Sequence, residues 1–292
     1  MKKAVTLGLM ACSGCHVAVV GLHEKLVELL KNVSLEHSYI LMDSKTIPGN
    51  VDLAIVEGGV RTKHDEEKVL EARDKAKIVV ALGSCACFGN IPSLCNLIPL
   101  EELLKTVYRE TATTVEGFIP SKDLPEVFQK VRPINEVVKV DYQVPGCPPE
   151  ADDIAEVLTA ILTGRKPELS KKDVCDDCPR ERKGEAPKEL KRLHVGTPDP
   201  KRCLLEQGYV CVGPATMGGC KARCPTANVT CDGCRGPAAK TWDQGLAMLD
   251  ALTAFSKDLT KEFKLSTHAA MFYRYTFASS ILSKLAKEAG GK

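Results

Sequence analysis

The sequence lacks two features that would place it in a broad class: an excess of one charge and a long apolar run. Its 40 Lys and Arg residues stand against 38 Asp and Glu residues, for a net charge of +2 over 292 residues. A chain without a basic excess has no electrostatic field suited to nucleic acid. No apolar run approaches the roughly 18 residues that a membrane-spanning helix needs. We therefore expect no nucleic-acid partner and no membrane span.

The residue present in unusual number is cysteine, which occurs 14 times. A hydrophobic fraction of 44% excludes wholesale disorder, and the length allows one large domain or, more readily, two. A secreted chain below about 100 residues would use such cysteines in disulfides, but a chain of this length can build a core without them. The cysteines are therefore interpreted as metal ligands.

The first 165 residues alternate short apolar runs with helical patterns. Apolar residues at helical spacing predict helices over residues 16–31, 65–75 and 149–163. Short apolar or β-branched runs predict strands over residues 4–10, 39–42, 52–56, 77–82 and 136–144. This alternation is typical of an α/β protein with a doubly wound parallel sheet.

Beyond this part the sequence changes character. After a polar linker, residues 175–235 contain eight cysteines, ample Gly and Pro, and almost no periodicity. We expect this segment to bury too little apolar surface for a hydrophobic core, so that bound metal must hold it folded. Helical spacing returns over residues 241–287 and includes Leu259. An aromatic cluster at residues 271–277 is expected either in a helix core or against a partner.

Four cysteines directly follow predicted strands. Cys12 and Cys15 follow the first strand, Cys85 follows the strand at 77–82, and Cys147 follows the strand at 136–144. The carboxyl ends of parallel strands share one edge of an open sheet, which is where ligands bind. Four thiolates at that edge suit zinc or an iron–sulfur cluster. A redox-active Cys-x-x-Cys dithiol is the alternative, but it leaves Cys85 and Cys147 unexplained.

The eight later cysteines provide ligands for two further four-thiolate sites. Paired Cys-x-x-Cys motifs are a zinc-ribbon signature, whereas Cys178-Pro179 and Cys224-Pro225 resemble ferredoxin-type ligation. From spacing alone, two structural zinc ions and two [4Fe–4S] clusters fit about equally well. The eight are Cys175, Cys178, Cys203, Cys211, Cys220, Cys224, Cys231 and Cys234.

Two cysteines and six histidines are left over. Cys87 and Cys95 have apolar neighbours and no spare partners, so we expect them to be small buried core residues. The histidines form no cluster with the spacing of metal ligands. Each is interpreted as a solvated or ordinary core residue.

Three motifs in order resemble the [NiFe] hydrogenase small subunit. They are Cys-Ser-Gly-Cys at 12–15, Gly-Ser-Cys-Ala at 83–86 and Pro-Gly-Cys-Pro-Pro at 145–149, and the later cysteines follow in family order. The resemblance covers about residues 1–240 and is strongest to the cytoplasmic, methyl-viologen-reducing enzymes of methanogens that are associated with heterodisulfide reductase. It implies a flavodoxin-like domain at 1–165 and a cysteine-rich domain with C-terminal helices at 166–292.

The same resemblance implies three [4Fe–4S] clusters. Gly58, Gly59, Gly146 and Pro148 are expected to shape the cavity of the proximal cluster. Two departures from better-known members concern the other clusters. At the distal cluster, Cys175 stands where those members have a histidine. At the medial cluster, those members have three irons and three cysteines, whereas Cys224 provides a fourth thiolate here. The implied ligands are Cys12, Cys15, Cys85 and Cys147 for the proximal cluster; Cys220, Cys224, Cys231 and Cys234 for the medial cluster; and Cys175, Cys178, Cys203 and Cys211 for the distal cluster.

The implied function is electron transfer without a catalytic residue in this chain, because the nickel–iron centre of the family lies in a separate large subunit. Electrons from H2 oxidation would pass through the proximal, medial and distal clusters to an iron–sulfur partner linked to heterodisulfide reductase. Ala11 stands where many members have Glu, so no proton-relay residue is assigned. The absence of a twin-arginine leader, together with free thiols, favours a cytoplasmic enzyme.

Three alternatives stay open at this point. One is the small subunit of a deazaflavin-reducing hydrogenase. Another is a complex I iron–sulfur subunit, which resembles residues 1–165 but usually has two adjacent cysteines near the first motif and lacks the eight-cysteine extension. The third, from a different class, is a zinc-stabilised binding module without redox function.

Overall fold

A five-stranded parallel sheet organises the first part of the chain. The computed structural model describes residues 1–115, 117–255 and 270–284. Its strands are β1 (Lys2–Gly8), β2 (Val33–Ser38), β3 (Val51–Glu57), β4 (Val60–Thr62), β5 (Ala76–Leu82), β6 (Val127–Arg132) and β7 (Tyr142–Val144). The parallel sheet has the order β2-β1-β3-β5-β7. This is the strand order of flavodoxin-like folds, which confirms the predicted fold class.

Helices connect these strands and continue into the second part. One of them, α3, begins at a capping box in which Thr62 Oγ1 accepts from the Asp65 N–H at 3.1 Å and Asp65 Oδ2 accepts from the Thr62 N–H at 2.8 Å. The helices are α1 (Gly14–Val20), α2 (Glu24–Leu30), α3 (Lys63–Lys75), α4 (Gly83–Phe88), α5 (Leu100–Tyr108), α6 (Ala151–Thr163), α7 (Val174–Asp177), α8 (Arg223–Thr226) and α9 (Gln244–Phe255). Short 3₁₀ turns occur at Ile91–Leu97, Ile134–Glu136, Leu193–Val195, Gly213–Ala215 and Phe277–Ser279.

Three predicted elements differ from the structure. The helix predicted at 16–31 is broken into α1 and α2. The break lies at His23, whose φ of 51° is incompatible with a right-handed helix. The strand predicted at 39–42 is wrong: the edge strand is β2, whose residues pair with β1. The strand predicted at 136–144 shrinks to β7, because the chain before it forms a 3₁₀ turn.

The sheet is buried on both faces, and its strands alternate between two apolar clusters. Helix α6 covers one face with the side chains of Ile154, Val157 and Ile161. Helices α3 and α4 contribute Val69, Ala72 and Ala86 to the cluster on the other face. Sheets covered on both sides by helices are the expected setting for parallel strands.

The cysteine-rich part has a hydrophobic core, so the expectation that it lacks one is wrong. The side chains that the cysteine-rich part contributes to this core include Leu204, Tyr209 and Val212. The remaining side chains come from elements further along the chain, among them Met248, Leu252, Phe272, Tyr273 and Phe277. The aromatic cluster at 271–277 therefore lies in this core. Leu259 and the end of the helix predicted to residue 287 fall outside the described residues.

Among the described residues, no helix is both long and apolar enough to cross a bilayer.

Candidate iron–sulfur centres

The proximal cysteines come together at the carboxyl edge of the sheet. Cys12 lies between β1 and α1, Cys15 is in the first turn of α1, Cys85 is in α4, and Cys147 follows β7. Burial raises the pKa of the Cys15 thiol above its ordinary range, and negative charge on Glu57, Cys85, Cys147 and Cys12 raises it further. All four predicted proximal ligands are thus close enough to interact.

Glycines make this close approach sterically feasible. Gly83 has a φ of +85°, and a Cβ there would lie 2.2 Å from Cys15 Sγ. Gly58 has a φ of +98°, and a Cβ there would lie 2.9 Å from the Met10 carbonyl oxygen. Gly59 exchanges two backbone hydrogen bonds with Met10, at 3.1 and 3.2 Å. The predicted glycines 58 and 59 therefore fix the chain that leads into Cys12, while a side chain at Gly83 would clash with the sulfur of Cys15, a predicted ligand.

The Cys147 loop is tied to α4 through one hydroxyl group. Ser84 Oγ accepts from the Gly146 N–H at 3.0 Å and donates to the carbonyl oxygen of Cys234, while the Ser84 N–H donates to the Gly146 oxygen at 2.8 Å. A Cβ on Gly146 would lie 2.5 Å from Pro149 Cα, and Pro148 follows a cis peptide bond. Ser84 thus joins the loops of two proposed cluster sites.

Asn90 contacts the sulfurs of two predicted proximal ligands directly. Its Nδ2 lies 3.1 Å from Cys85 Sγ and 3.4 Å from Cys147 Sγ. Burial raises the pKa of the Cys85 thiol to about 11, and the hydrogen bond from Asn90 offsets part of this rise. Asn90 was not predicted from the sequence, since a single polar residue after an apolar stretch carries no motif.

A buried histidine–carboxylate pair supports the first cysteine loop. Glu57 Oε2 accepts from the His16 backbone N–H at 2.8 Å and contacts His16 Nδ1. His16 Nε2 and Glu57 Oε1 have no hydrogen-bond partner among the described residues. His16 is thus a core histidine, as its sequence context predicted, and it fastens the residue after Cys15 to the end of β3.

The distal cysteines line one cavity. Cys175, Cys178, Cys203 and Cys211 all border a space of about 240 Å³. Burial raises the pKa of the Cys211 thiol to about 11, with smaller contributions from charge on Cys203 and Cys178. A Cβ on Gly213 would lie 3.2 Å from Cys175 Sγ, so the cavity wall there is glycine backbone. Gly213 was likewise not predicted from the sequence.

Arg180 is a buried cation in the wall of the same cavity. Its guanidinium donates to the carbonyl oxygens of Pro225, Asp199 and Arg202 at 2.9, 2.8 and 2.9 Å, and to Asn228 Oδ1 at 2.5 Å. All four acceptors are uncharged oxygens. A buried positive charge with neutral acceptors is compensated best by an anionic group in the adjoining cavity.

Two of the predicted medial cysteines, Cys231 and Cys234, lie near the other two sets. Burial raises the pKa of the Cys234 thiol to about 11, and charge on Cys224, Cys220 and Cys147 adds to the rise. The Cys231 N–H donates to Cys211 Sγ at 3.3 Å. Cys234 thus faces the proximal site, while its Cys-x-x-Cys partner Cys231 contacts the distal site.

The four predicted distal thiols border a space larger than a single metal ion occupies. Within residues 1–115, 117–255 and 270–284, there is no group of three or more His, Cys, Asp or Glu side chains with the geometry to hold one metal ion. Thiolates on one zinc must converge to about 2.3 Å from a common point, whereas the thiolates of a [4Fe–4S] cluster each bind a different iron. Four thiols around a cavity match the second arrangement.

The two remaining cysteines lie apart from these sets. Cys87 is fully buried in the sheet core, with its thiol 3.6 Å from the Ala81 carbonyl oxygen, as predicted. Cys95 is only half-buried, and its thiol lies 3.8 Å from Asn96 Oδ1. The prediction of a buried core thiol is therefore right for Cys87 and wrong for Cys95, which the 3₁₀ turn at Ile91–Leu97 leaves partly exposed.

Comparison with known proteins extends over the whole chain. Residues 12–161 match the family described as NADH ubiquinone oxidoreductase, 20 Kd subunit. A vhu subunit of the F420-non-reducing hydrogenase of Methanocaldococcus jannaschii is 42% identical over 98% of both chains. The iron-sulfur subunit of the F420-non-reducing hydrogenase of Archaeoglobus profundus is 38% identical, covering 97% of this chain and 98% of that protein. The chain belongs to this family of hydrogenase subunits.

A solved structure supports the same family assignment over more than half of the chain. A chain of an NAD+-reducing [NiFe]-hydrogenase in the H2-reduced state superposes with a TM-score of 0.55 at 36% identity, covering 58% of this chain and 96% of that chain. The family resemblance stated from the cysteine motifs is thereby confirmed. The 20 Kd subunit family reaches only residue 161, whereas the F420-non-reducing hydrogenase subunits also match the cysteine-rich part.

Proposed function

We propose that this chain is the electron-transfer small subunit of a [NiFe] hydrogenase complex with three [4Fe–4S] clusters. Its partner would be the large subunit that oxidises H2, and its electron acceptor an iron–sulfur subunit linked to heterodisulfide reductase. When bound, the clusters supply one-electron redox chemistry at low potential. The cysteines, glycines and buried polar groups of this chain hold the clusters in place and control their surroundings.

The observation that carries the proposal is an unbroken series of contacts through the three thiol sets. Ser84 Oγ joins the proximal and medial sets, since it accepts from the Gly146 N–H at 3.0 Å and donates to the Cys234 carbonyl oxygen. Cys231 and Cys234 share one Cys-x-x-Cys loop, and the Cys231 N–H reaches Cys211 Sγ at 3.3 Å. Electron relay needs cofactors in a fixed order and at short separation, and this arrangement supports the order proximal, medial, distal.

The residues exposed at each end of the series indicate which partner binds there. Cys12 and Cys147 of the proximal set are exposed, and Cys15 is buried beneath them. An exposed pair of ligands gives a partner subunit direct access to one side of the cluster, so we assign this side to the large subunit. The cysteine-rich part carries the opposite end, where Arg182 lines the distal cavity and is exposed. We assign that side to the electron acceptor.

Iron and sulfide analysis of the anaerobically purified native complex tests the proposal. Three cubanes require about twelve iron atoms in this chain after subtraction of iron held by other subunits. Reduction by dithionite should bleach the visible absorbance of the clusters. About four iron atoms would favour a single-cluster, complex I-like subunit, and a colourless zinc protein would overturn the proposal in favour of a zinc-stabilised module.

Expression of the chain alone separates electron transfer from catalysis. No residue set among the described residues resembles a nickel site, so the reconstituted chain should take up no H2. Hydrogen uptake by the isolated chain would contradict the proposed division between the two subunits.

A further inference from the structure

The side-chain amide of Asn90 connects two ligand loops of the proximal site. Its Nδ2 is within hydrogen-bond distance of both Cys85 Sγ, at 3.1 Å, and Cys147 Sγ, at 3.4 Å. A primary amide has two N–H donors, one for each sulfur. Asn90 is 3% exposed, so bulk water does not compete for these donors.

The rest of the residue fixes the direction of the amide. Asn90 Oδ1 accepts from the Ile91 N–H at 2.6 Å, and the Asn90 carbonyl oxygen accepts from Ser93 Oγ at 2.6 Å. With Oδ1 engaged by the backbone, the NH2 group is the part that points to the sulfurs. The backbone of Asn90, with φ 53° and ψ −162°, lies in a region that favours glycine.

We propose that Asn90 is a positioning residue that raises the reduction potential of the proximal cluster by donating hydrogen bonds to two of its ligand thiolates. This inference rests on the proposed function, in which the Cys85 and Cys147 thiolates bind iron. Reduction adds one electron, supplied by H2 oxidation in the partner, and neither makes nor breaks a bond in this chain. The reduced cluster carries more negative charge on its sulfurs, so N–H···S bonds favour the reduced state.

Two substitutions separate this role from simple capping of the turn. Asn90→Gly removes both the amide and the cap but tolerates the positive φ. Asn90→Asp keeps a carboxylate oxygen to accept from the Ile91 N–H and turns the other oxygen toward the sulfurs. If Asn90 only caps the turn, Asn90→Gly should have the wild-type potential, whereas the negative charge of Asn90→Asp lowers the potential in either case. If Asn90 donates to the sulfurs, Asn90→Gly should also have a lower potential than wild type, and the Asp variant should have the lowest potential of the three.

The measurement is an EPR-monitored redox titration of the proximal cluster in the purified complex. We expect the order wild type, Asn90→Gly, Asn90→Asp from highest to lowest potential. Each variant should lower the equilibrium constant for reduction by at least about tenfold relative to wild type, which is about 59 mV for a one-electron couple. A wild-type potential in Asn90→Gly, with the cluster assembled, would overturn the inference.

A measurement on the wild type covers the case in which neither variant assembles the cluster. With ¹⁵N-labelled asparagine, pulsed EPR of the reduced proximal cluster should show a ¹⁵N coupling transmitted through the N–H···S contact. A proximal signal without that coupling contradicts the role of Asn90 and leaves the proposed function intact. Absence of any proximal cluster signal in the wild-type complex contradicts the proposed function itself.

Discussion

Arg235 Nη2 lies 2.6 Å from Asp153 Oδ2, and this ion pair joins the two parts of the chain. The side chains are only 2% and 13% exposed, respectively. Arg235 directly follows Cys234 of the proposed medial site, and its Nε donates to the Met217 carbonyl oxygen at 3.2 Å. Asp153 belongs to α6, which covers the flavodoxin-like sheet. The pair therefore fixes the medial cysteine loop against the part of the chain that holds the proximal site.

Removing one partner of this pair should be strongly destabilising. Asp153→Ala leaves the Arg235 guanidinium buried without a counter-charge, which typically costs about 3–5 kcal/mol. Denaturant unfolding of the anaerobic holoprotein should show a lower midpoint. The matched control is Lys25→Ala. Lys25 Nζ lies 3.3 Å from Oδ1 of Asp152, the neighbour of Asp153 in α6, and both side chains of this pair are exposed. That exposed pair should contribute less than about 1 kcal/mol. Equal effects of the two substitutions would contradict the structural role of Arg235.

Substitution of Gly83 should remove the proximal cluster. The Cβ of Gly83→Ala would lie 2.2 Å from Cys15 Sγ, so the thiol would have to leave its position. We expect loss of about four iron atoms from the complex and loss of the proximal EPR signal.

Gly164→Ala is the control for backbone strain in this experiment. Gly164 also has a positive φ, +76°, but a Cβ there meets no atom within 4 Å. It should cost about 1–2 kcal/mol of stability from its left-handed backbone alone and retain all iron. A full iron content in Gly83→Ala would show that Cys15 is not held where a cluster needs it.

Arg180 should be necessary for assembly of the distal cluster. Arg180→Met removes the donors of four oxygen atoms, of which the Pro225 carbonyl oxygen is in a buried hydrogen bond and the other three are in partly buried ones. We expect a selective loss of about four iron atoms, with the proximal EPR signal retained. Arg182→Met is the control, because Arg182 lines the same cavity but is exposed. It should retain the distal iron, and a similar loss in both variants would show that the cavity charge alone, not the hydrogen bonds, is required.

The convergence of the four predicted proximal cysteines could be expected from the sequence because parallel strands impose a simple rule. Strands β1, β5 and β7 end at one edge of the sheet, so cysteines that follow them meet there. The rule depends only on where the strands end, so it still holds although the strand predicted at 39–42 is wrong and the one predicted at 136–144 is too long. Asn90 and Ser84 were beyond this reasoning, since their contacts with Cys147 and Cys234 arise between segments that are distant in sequence.

The core of the cysteine-rich part could not be predicted from the sequence for a related reason. Its apolar residues have no period, because Leu204, Tyr209 and Val212 lie outside the helices and strands and not on one face of an element. Their partners Met248 and Phe272 come from segments further along the chain. Burial that depends on such pairing is set by tertiary structure and leaves no local pattern to detect.

The last prediction concerns Cys224, the fourth thiol of the proposed medial site. Cys224 lies in α8, is exposed, and is close enough to Cys220 for their charges to interact. Replacing a ligand of one corner of a cubane should release that iron and leave a [3Fe–4S] core, which has a higher potential. Cys224→Ala should therefore show a three-iron EPR signal when oxidised. H2-driven reduction of a low-potential acceptor should slow more than reduction of a high-potential dye, because electrons leave such a cluster with difficulty.

Cys87→Ala is the control for loss of a thiol as such. Cys87 is fully buried in the sheet core, away from the three thiol sets, and its truncation should cost on the order of 1 kcal/mol of stability without loss of iron. The contrast between the two variants decides the assignment, since both remove one sulfur and only one is predicted to bind iron. If Cys224→Ala keeps a four-iron medial cluster, Cys224 is not its ligand. The eight later cysteines must then be divided differently, with the contact between Cys231 and Cys211 as the first pairing to reconsider.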